Sequence, residues 1–383
     1  MTSKYQVIKQ AIKSKILEGT LAPHQKLSSE NDMIKEYGVS RHTVRLAIGE
    51  LANEGWLYKV QGSGTYCADR SKTKSLRQPN NNIAIITTYI SEYIFPSIIR
   101  GAESYLSKHG YNVTIFNTNN DYNQEKQVLE IILTGNYAGV IIEPTKSSSA
   151  SPNLHLYLSL EREMIPYLMI NAFYHELEPT TIVLDDEKGG FIQAEHLIKL
   201  GHRDIVAIFK TDDMQGSKRL KGFIKAHRMY DIPINTSNII SYNTQNRYSK
   251  PVEKLEALLD SNMQTPTGIV CYNDQLVLEL LDVLRKRDLQ VPRDISIVGY
   301  DDSSLSEVSE VKLTTVKHPK SKMGYEAAQL LVEMIKNRNG SGKKSTESIV
   351  YEPELFIRTS TKRVGKFQEE LLEGKFESPI GSK

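Results

Sequence analysis

Residues 295–302 read ISIVGYDD. The first six form a short uncharged run, and the run stops on two carboxylates, Asp301 and Asp302. A half-exposed strand alternates apolar with polar residues. A run without alternation has both faces buried, as in a parallel sheet covered by helices. The same texture recurs in IAIITT (83–88), VTIF (113–116), GVIIE (139–143), YLMI (167–170), TIVL (181–184), IVAIF (205–209) and GIVC (268–271). Amphipathic stretches such as SIIRGAESYLSKHG, GGFIQAEHLIKLGH and QLVLELLDVLRKRD lie between them. Strand–helix alternation predicts a doubly wound α/β fold. Eight such runs exceed one comfortable domain, so two similar lobes are expected.

Ligands in such sheets sit beyond the carboxyl ends of the strands. The residues that follow each run are therefore the candidates for ligand chemistry. Glu143 ends VIIE, Asn171 and Phe173 follow YLMI, and Asp185 and Asp186 follow TIVL. Asn273 and Asp274 follow GIVC, Asp301 follows ISIVGY, and Arg219 lies near the start of a helix in SKRLKGF. Carboxylate, amide and guanidinium groups bind hydroxyls in pairs, and aromatic faces such as Tyr93 or Phe173 cover the C–H side of a sugar ring. The competing reading is that these residues cap helices: Asn273 or Asp274 would cap DQLVLELLDVLRKRD. Recurrence at several strand ends favours a cleft.

The chain has 383 residues, 25% charged and 39% hydrophobic, which is a globular balance. Its length predicts two or three domains. Net charge is +2, so any nucleic-acid footprint is local. Two cysteines far apart give neither a disulfide framework nor metal-ligand spacing, and a reducing compartment fits. The N-terminus carries a charge every few residues and no apolar h-region, so a cytoplasmic protein without a membrane partner is expected.

The first 70 residues differ from the rest. Val7, Ile8, Ala11, Ile12 and Ile16 share a helical face that ends at Gly19. Ser29 is placed to cap a second helix through Tyr37, with Asp32 as capping-box partner. In YGVSRHTVRLAIGEL (37–51) a tight turn meets a third helix, capped by Ser40 and buried along Val44, Ala47, Ile48 and Leu51. Arg41, His42, Thr43 and Arg45 fall off that stripe, in the first turns, where the helix dipole prefers anions. An external anion answers the mismatch. DNA phosphate meets the cations, and guanine edges accept from arginine. Leu57–Val60 and Thr65–Cys67 read as a hairpin with QGSG at its tip, a wing after a helix-turn-helix. Trp56 and Tyr58 are expected in the core. Residues 70–82, RSKTKSLRQPNNN, hold four cations, no acid and almost nothing apolar, and read as a tether.

The stretch KYQVIKQAIKSKILEGTLAPHQKLSSENDMIKEYGVSRHTVRLAIGELANEGWLYKVQGSGTYC, with its P…KL.SE and GSGT elements, resembles the winged-helix domain of the GntR family of bacterial regulators. That resemblance implies homodimeric binding to a near-palindromic operator in double-stranded DNA. It implies that Glu30, Arg41, His42, Arg45, Gln61 and Gly62 face DNA, with Lys4 placed to touch phosphate; Thr43 joins them by its position off the buried stripe. Residues 83–360 resemble the effector domain of the LacI family, itself similar to periplasmic sugar-binding proteins. The phrases that carry this are GYNVTIFNTNND, GVIIEP, HLIKLGHRDI, KRLKGF, IVCYNDQ, VPRDISIVGYDD and LTTVKHP. The resemblance implies effector-binding roles for Arg219, Asn273, Asp301 and His318, with Glu143, Asn171 and Asp185 or Asp186 as further transfers; near the first strand Tyr89, Tyr93 and Phe95 are candidates, with Tyr93 favoured. The chain departs from LacI-type repressors in its reader and in the tether that stands where they carry a hinge helix.

The expected architecture is a winged helix-turn-helix over 1–70, a linker over 71–82, a two-lobed effector-binding and dimerisation domain over 83–360, and a C-terminal helix and tail over 361–383. The combined layout resembles that of sugar-responsive repressors, and this resemblance implies a repressor released by L-arabinose or a related sugar, with no cofactor. An activator is the same-class alternative. A transport component lacks support because the first 70 residues would be idle. An enzyme would need to use Asp274 and Asp301 as paired carboxylates. No phosphate loop, HExxH or nucleophile elbow accompanies them.

Overall fold

The computed structural model describes residues 3–69, 81–91, 93–261, 265–338 and 347–364. Most of the predicted linker and of the C-terminal helix and tail lies outside the described residues.

The N-terminal module contains α1 (Lys4–Leu17), α2 (Glu30–Tyr37), α3 (Arg41–Asn53) and the hairpin β1 (Leu57–Val60) with β2 (Gly64–Cys67). Ser29 and Asp32 form a reciprocal capping box at α2. Gly38, at φ 59°, ends α2 in the left-handed conformation that the tight turn requires. The Ser40 hydroxyl accepts from Thr43 N at the head of α3. Val44, Ala47, Ile48 and Leu51 are buried as the pattern predicts, and Trp56 joins them. Two expectations are corrected. Val7 is 51% exposed, because α1 buries a narrower stripe of Ile8, Ile12, Ile16 and Leu17. Tyr58 is on the wing surface, its ring stacked on Tyr66 across the hairpin.

The first lobe follows with β3 (Asn82–Thr87), α4 (Phe95–Lys108), β4 (Asn112–Asn117), α5 (Tyr122–Thr134), β5 (Gly139–Ile142), α6 (Leu154–Arg162), β6 (Tyr167–Ile170) and β7 (Thr181–Leu184). The second lobe takes α7 (Asp186–Lys199), β8 (Ile205–Lys210), α8 (Met214–Met229), β9 (Ile239–Tyr242), α9 (Lys250–Asp260), β10 (Gly268–Cys271), α10 (Asp274–Arg285), β11 (Ser296–Asp301), α11 (Leu305–Val308) and β12 (Thr314–Lys317). The chain then returns through α12 (Lys320–Arg338) and β13 (Ile349–Tyr351) to the first lobe, and ends in β14 (Leu355–Phe356) on the second.

Each lobe is a six-stranded sheet, ordered β4-β3-β5-β6-β7-β13 in one and β9-β8-β10-β11-β12-β14 in the other. All pairings are parallel except β12 with β14. In both, the second strand lies outside the first and the third lies on its other side. The strand order therefore reverses at β3/β5 and at β8/β10, where the loops at the carboxyl ends part and leave a crevice. The chain crosses between lobes after β7, after β12 and after β13. Glycines set the depth of the helix layer. A Cβ on Gly190 of α7 would stand 2.0 Å from the Arg219 carbonyl oxygen on α8. In the first lobe, a Cβ on Gly101 of α4 would stand 2.1 Å from the Ser321 carbonyl of α12.

Candidate effector cleft and nucleic-acid face

The two switch points face each other across a cavity of about 120 Å³. Its walls include Thr88, Tyr89 and Glu143 from the first lobe and Lys210, Tyr272 and Asp301 from the second. Asp186 and His318 reach it from the crossovers.

Arg219 is the hub, 3% exposed. Its Nε donates to Asp186 Oδ1 at 2.8 Å and its Nη1 to the Tyr272 carbonyl at 2.6 Å. Its Nη2 stands 3.7 Å from Asp301 Oδ1. The guanidinium lies 3.4 Å from the Tyr300 ring centroid. Burial works against its charge, but Asp186, Tyr300 and Asp301 more than offset this and hold it protonated. Burial raises both carboxyls above their ordinary range, with Arg219 opposing.

The opposite wall is a chain of neutral and anionic groups. Glu143 accepts from Thr88 N and Oγ1 at 3.0 and 2.6 Å, and from Asn171 Nδ2 at 2.9 Å. Asn171 Oδ1 is then left to accept from His318 Nε2, 3.0 Å away. That assignment puts the His318 proton on Nε2 and leaves Nδ1 an acceptor. Burial pushes the His318 pKa down to about 3, so the ring is neutral at any ordinary pH. His318 Nδ1, Asp301 Oδ1 and Gln215 Oε1 are buried with no hydrogen-bond partner among the described residues. Acceptors of this kind match hydroxyl donors, and Arg219 and Lys210 supply the complementary donors. Lys210 stays charged: burial lowers its pKa, and Asp213 and Asp212 reverse the effect.

Left-handed backbone concentrates here. Tyr93, Asn171 and Asp301 have φ of 61°, 65° and 90°. Such conformations cost roughly 1–3 kcal/mol each and persist where surroundings hold them. Tyr93 is held across the lobes: its hydroxyl donates to the Tyr300 carbonyl at 2.8 Å and accepts from Asp274 N at 3.1 Å.

Of the residues named from the sequence, Tyr93, Glu143, Asn171, Arg219, Asn273, Asp301 and His318 line the cavity. Asn273 also caps α10, accepting from Leu276 N at 2.9 Å, so the cap and the cleft readings hold together. Asp185 does not line it. Its side chain caps α7, accepting from Lys188 N, and the next residue, Asp186, turns inward. Phe173 also lies outside, its ring edge-on to His175 and beneath Lys218 Nζ. Sequence reasoning missed Lys210, Asp213, Gln215 and Arg247. Lys210 directly follows IVAIF, so the strand-end rule would have found it. Arg247 follows a short edge strand that was not recognised; it stacks between Tyr89 and Tyr248, 4.5 Å from each ring centroid.

In the N-terminal module, Arg41, His42 and Arg45 are exposed on the first turns of α3, with Thr43 half-buried beside them. Arg41 Nη2 donates to Asn31 at 2.7 Å, and Arg45 Nε donates to both oxygens of Glu30 at 3.0 and 2.9 Å. Thr43 bonds the Ser40 hydroxyl. Gln61 and Gly62 form the exposed wing turn, with Gly62 at φ 73°. Lys4 is exposed at the start of α1. Among the described residues no helix is long and apolar enough to cross a membrane. Nor, among them, is any group of three or more His, Cys, Asp or Glu placed to hold a metal ion.

Comparison with known proteins agrees with both halves. Residues 4–67 match the bacterial regulatory proteins of the gntR family, and residues 194–361 match the periplasmic binding protein-like domain. An arabinose metabolism transcriptional repressor of Halalkalibacterium halodurans is 57% identical over 367 residues, covering 94% of this chain and 97% of its own. A second, of Geobacillus stearothermophilus, is 47% identical over 362 residues, covering 94% and 98%. A LacI-family regulator from Enterococcus faecium, solved with bound ribose, has a TM-score of 0.62 at 24% identity, over 74% of this chain and 99% of its own. That likeness shows the fold alone. With a GntR-type reader ahead of a two-lobed binding domain, and relatives this close along nearly its whole length, the chain belongs to the family of arabinose metabolism transcriptional repressors.

Proposed function

We propose that the chain binds operator DNA as a homodimer through α3 and the wing, and that L-arabinose in the cleft weakens that binding. The observation that carries the sugar half is Arg219 ion-paired with two buried carboxylates, beside oxygen and nitrogen acceptors on Asp301 and His318 that have no hydrogen-bond partner among the described residues. Hydroxyl groups both donate and accept, and a ring of them satisfies such a wall without bringing a charge. The cavity, about 120 Å³, is far below the roughly 300–1,000 Å³ of sites for drug-sized ligands. A pentose, with about ten non-hydrogen atoms, suits it better than a nucleotide. The names of the two close relatives favour arabinose among pentoses, and we take the L form as the inducer.

For the DNA half, Arg41 and Arg45 meet guanine edges or phosphate, with Glu30 orienting Arg45 until a base competes for it. Lys4, His42, Thr43, Gln61 and Gly62 complete the footprint. Specific half-sites demand a fixed reader separation, so a small change in lobe geometry costs affinity. Moving the protein from about 99% bound to 1% needs a sugar preference of about 5.5 kcal/mol for the released state, which two sites in a dimer share. A gel shift on the chain's own upstream DNA with a panel of sugars tests the proposal. Release by L-arabinose alone supports it, and indifference to every pentose removes the effector assignment. A monomer in sedimentation at operator-binding concentrations removes the dimer.

A further inference from the structure

Helix α5 runs from just after Asn120, which lines the cleft, to the DNA reader. Its first turn carries Glu125, which is fully buried. That carboxylate accepts from the Tyr157 and Tyr174 hydroxyls, both at 2.9 Å, and from Thr145 N at 3.2 Å. The loop anchored there touches the second lobe: Ser148 Oγ donates to the Thr211 carbonyl at 2.7 Å, and Met214 N donates to Ser147 Oγ at 3.0 Å. Just ahead of α5, Asn120 Nδ2 donates to Thr244 Oγ1 at 2.6 Å. The N-terminal end of α5 is thus tied, through Asn120 and the loop held by Glu125, to hydrogen bonds that bridge the two lobes.

Five residues on, about 7.5 Å along the axis, Glu130 meets the reader. Its Oε2 accepts from Gln10 Nε2 at 2.7 Å and its Oε1 from Ser14 Oγ at 3.0 Å. Gln10 and Ser14 are one turn apart on α1, so both carboxylate oxygens are engaged by a single helix face. Glu130 is 7% exposed. A carboxylate that deeply covered is costly without its donors, so its contacts with α1 are held in register rather than loosely made. Beside it, Ser159 Oγ of α6 donates to the Leu17 carbonyl at the end of α1, where the helix leaves an acceptor open.

We propose that Glu130 is a positioning residue for operator release: with the cleft closed it locks α1 against the first lobe, and α5 carries the closure to the reader. This rests on the reading that sugar releases the operator. Two readers locked to their lobes take the spacing that the closed lobes impose. Readers not locked to their lobes take the spacing that the two half-sites demand.

The test uses the full-length protein. Gln10→Ala with Ser14→Ala removes both donors without touching the cleft or α3, and alanine favours the helix. Glu130→Gln keeps one acceptor oxygen. Operator affinity is measured with and without saturating L-arabinose, alongside a thermal melt. The double variant should keep its sugar-free operator affinity within about threefold, and its sugar-induced loss of affinity should shrink by about tenfold. Glu130→Gln should fall between it and the wild type. A double variant released to the wild-type extent overturns the proposal and leaves the sugar response standing. A wild type that L-arabinose does not release overturns that response and the proposal with it. A natively melting double variant that no longer binds operator without sugar also overturns it, because the lock then serves binding and not release.

Discussion

Replacing Arg219 with lysine keeps the charge and discards the fork. The guanidinium serves Asp186 through Nε, the Tyr272 carbonyl through Nη1 and Asp301 through Nη2, and it stacks on Tyr300. A lysine ammonium is a point donor on a flexible stem and reaches one carboxylate at a time. Hydrogen bonds to charged groups contribute about 1.5–3 kcal/mol each. Two are lost and one is recovered, and a desolvated cation–π contact adds up to about 2 kcal/mol. The net cost is about 2–5 kcal/mol, which lowers Tm by roughly 5–10 °C. Sugar affinity loses one charge-assisted donor, about 10- to 150-fold by the same figure. Calorimetric titration with L-arabinose and differential scanning calorimetry measure the two effects separately. Operator affinity without sugar should be unchanged. A variant with lowered Tm but L-arabinose affinity within twofold of wild type refutes the reasoning, because Arg219 would then be a structural ion pair and nothing more.

Arg45→Ala should reduce operator affinity at least about tenfold while leaving calorimetric L-arabinose binding intact, since the residue lies on exposed α3 far along the chain from the cleft. Gly190→Ala forces a Cβ into the Arg219 carbonyl, so α7 and α8 must part; a loss of roughly 1–3 kcal/mol in urea unfolding, with weakened sugar binding, is expected. Burial raises the Asp274 carboxyl to about 7, with the Thr315 hydrogen bond opposing and Asp301 adding. The folded state thus keeps a proton that the unfolded chain gives up near pH 4, so this contribution is present below about pH 4 and lost as pH rises through about 7. The stability of wild type relative to Asp274→Asn should therefore fall by about 2–3 kcal/mol between pH 5 and pH 8, read from melts at the two values.

The sequence was most legible where one physical constraint acted alone. Buried strands such as TIVL and GIVC had no polar face to show, and they form β7 and β10. β9 was missed because an edge strand alternates in burial, and β12 because LTTVK is rich in threonine; β13 and β14 span three and two residues. At the site, the strand-end rule located Glu143, Asn171 and Asp301, yet chose Phe173, whose ring lies outside the cavity. The inward member of the pair Asp185-Asp186 depends on where α7 begins, a one-residue matter that periodicity cannot fix. Tyr58 was misplaced because a two-stranded wing has no second layer to bury it. Nothing in the sequence joined Gln10 to Glu130, since a contact between residues 120 positions apart is set by how two modules dock.

The central claim is a coupling, and coupling is reciprocal. L-arabinose affinity measured by calorimetry on the free protein, and again on the protein saturated with operator DNA, tests it directly. The sugar should bind the operator complex more weakly, by the same factor by which saturating sugar weakens operator binding. Equal affinity in the two titrations would contradict the account.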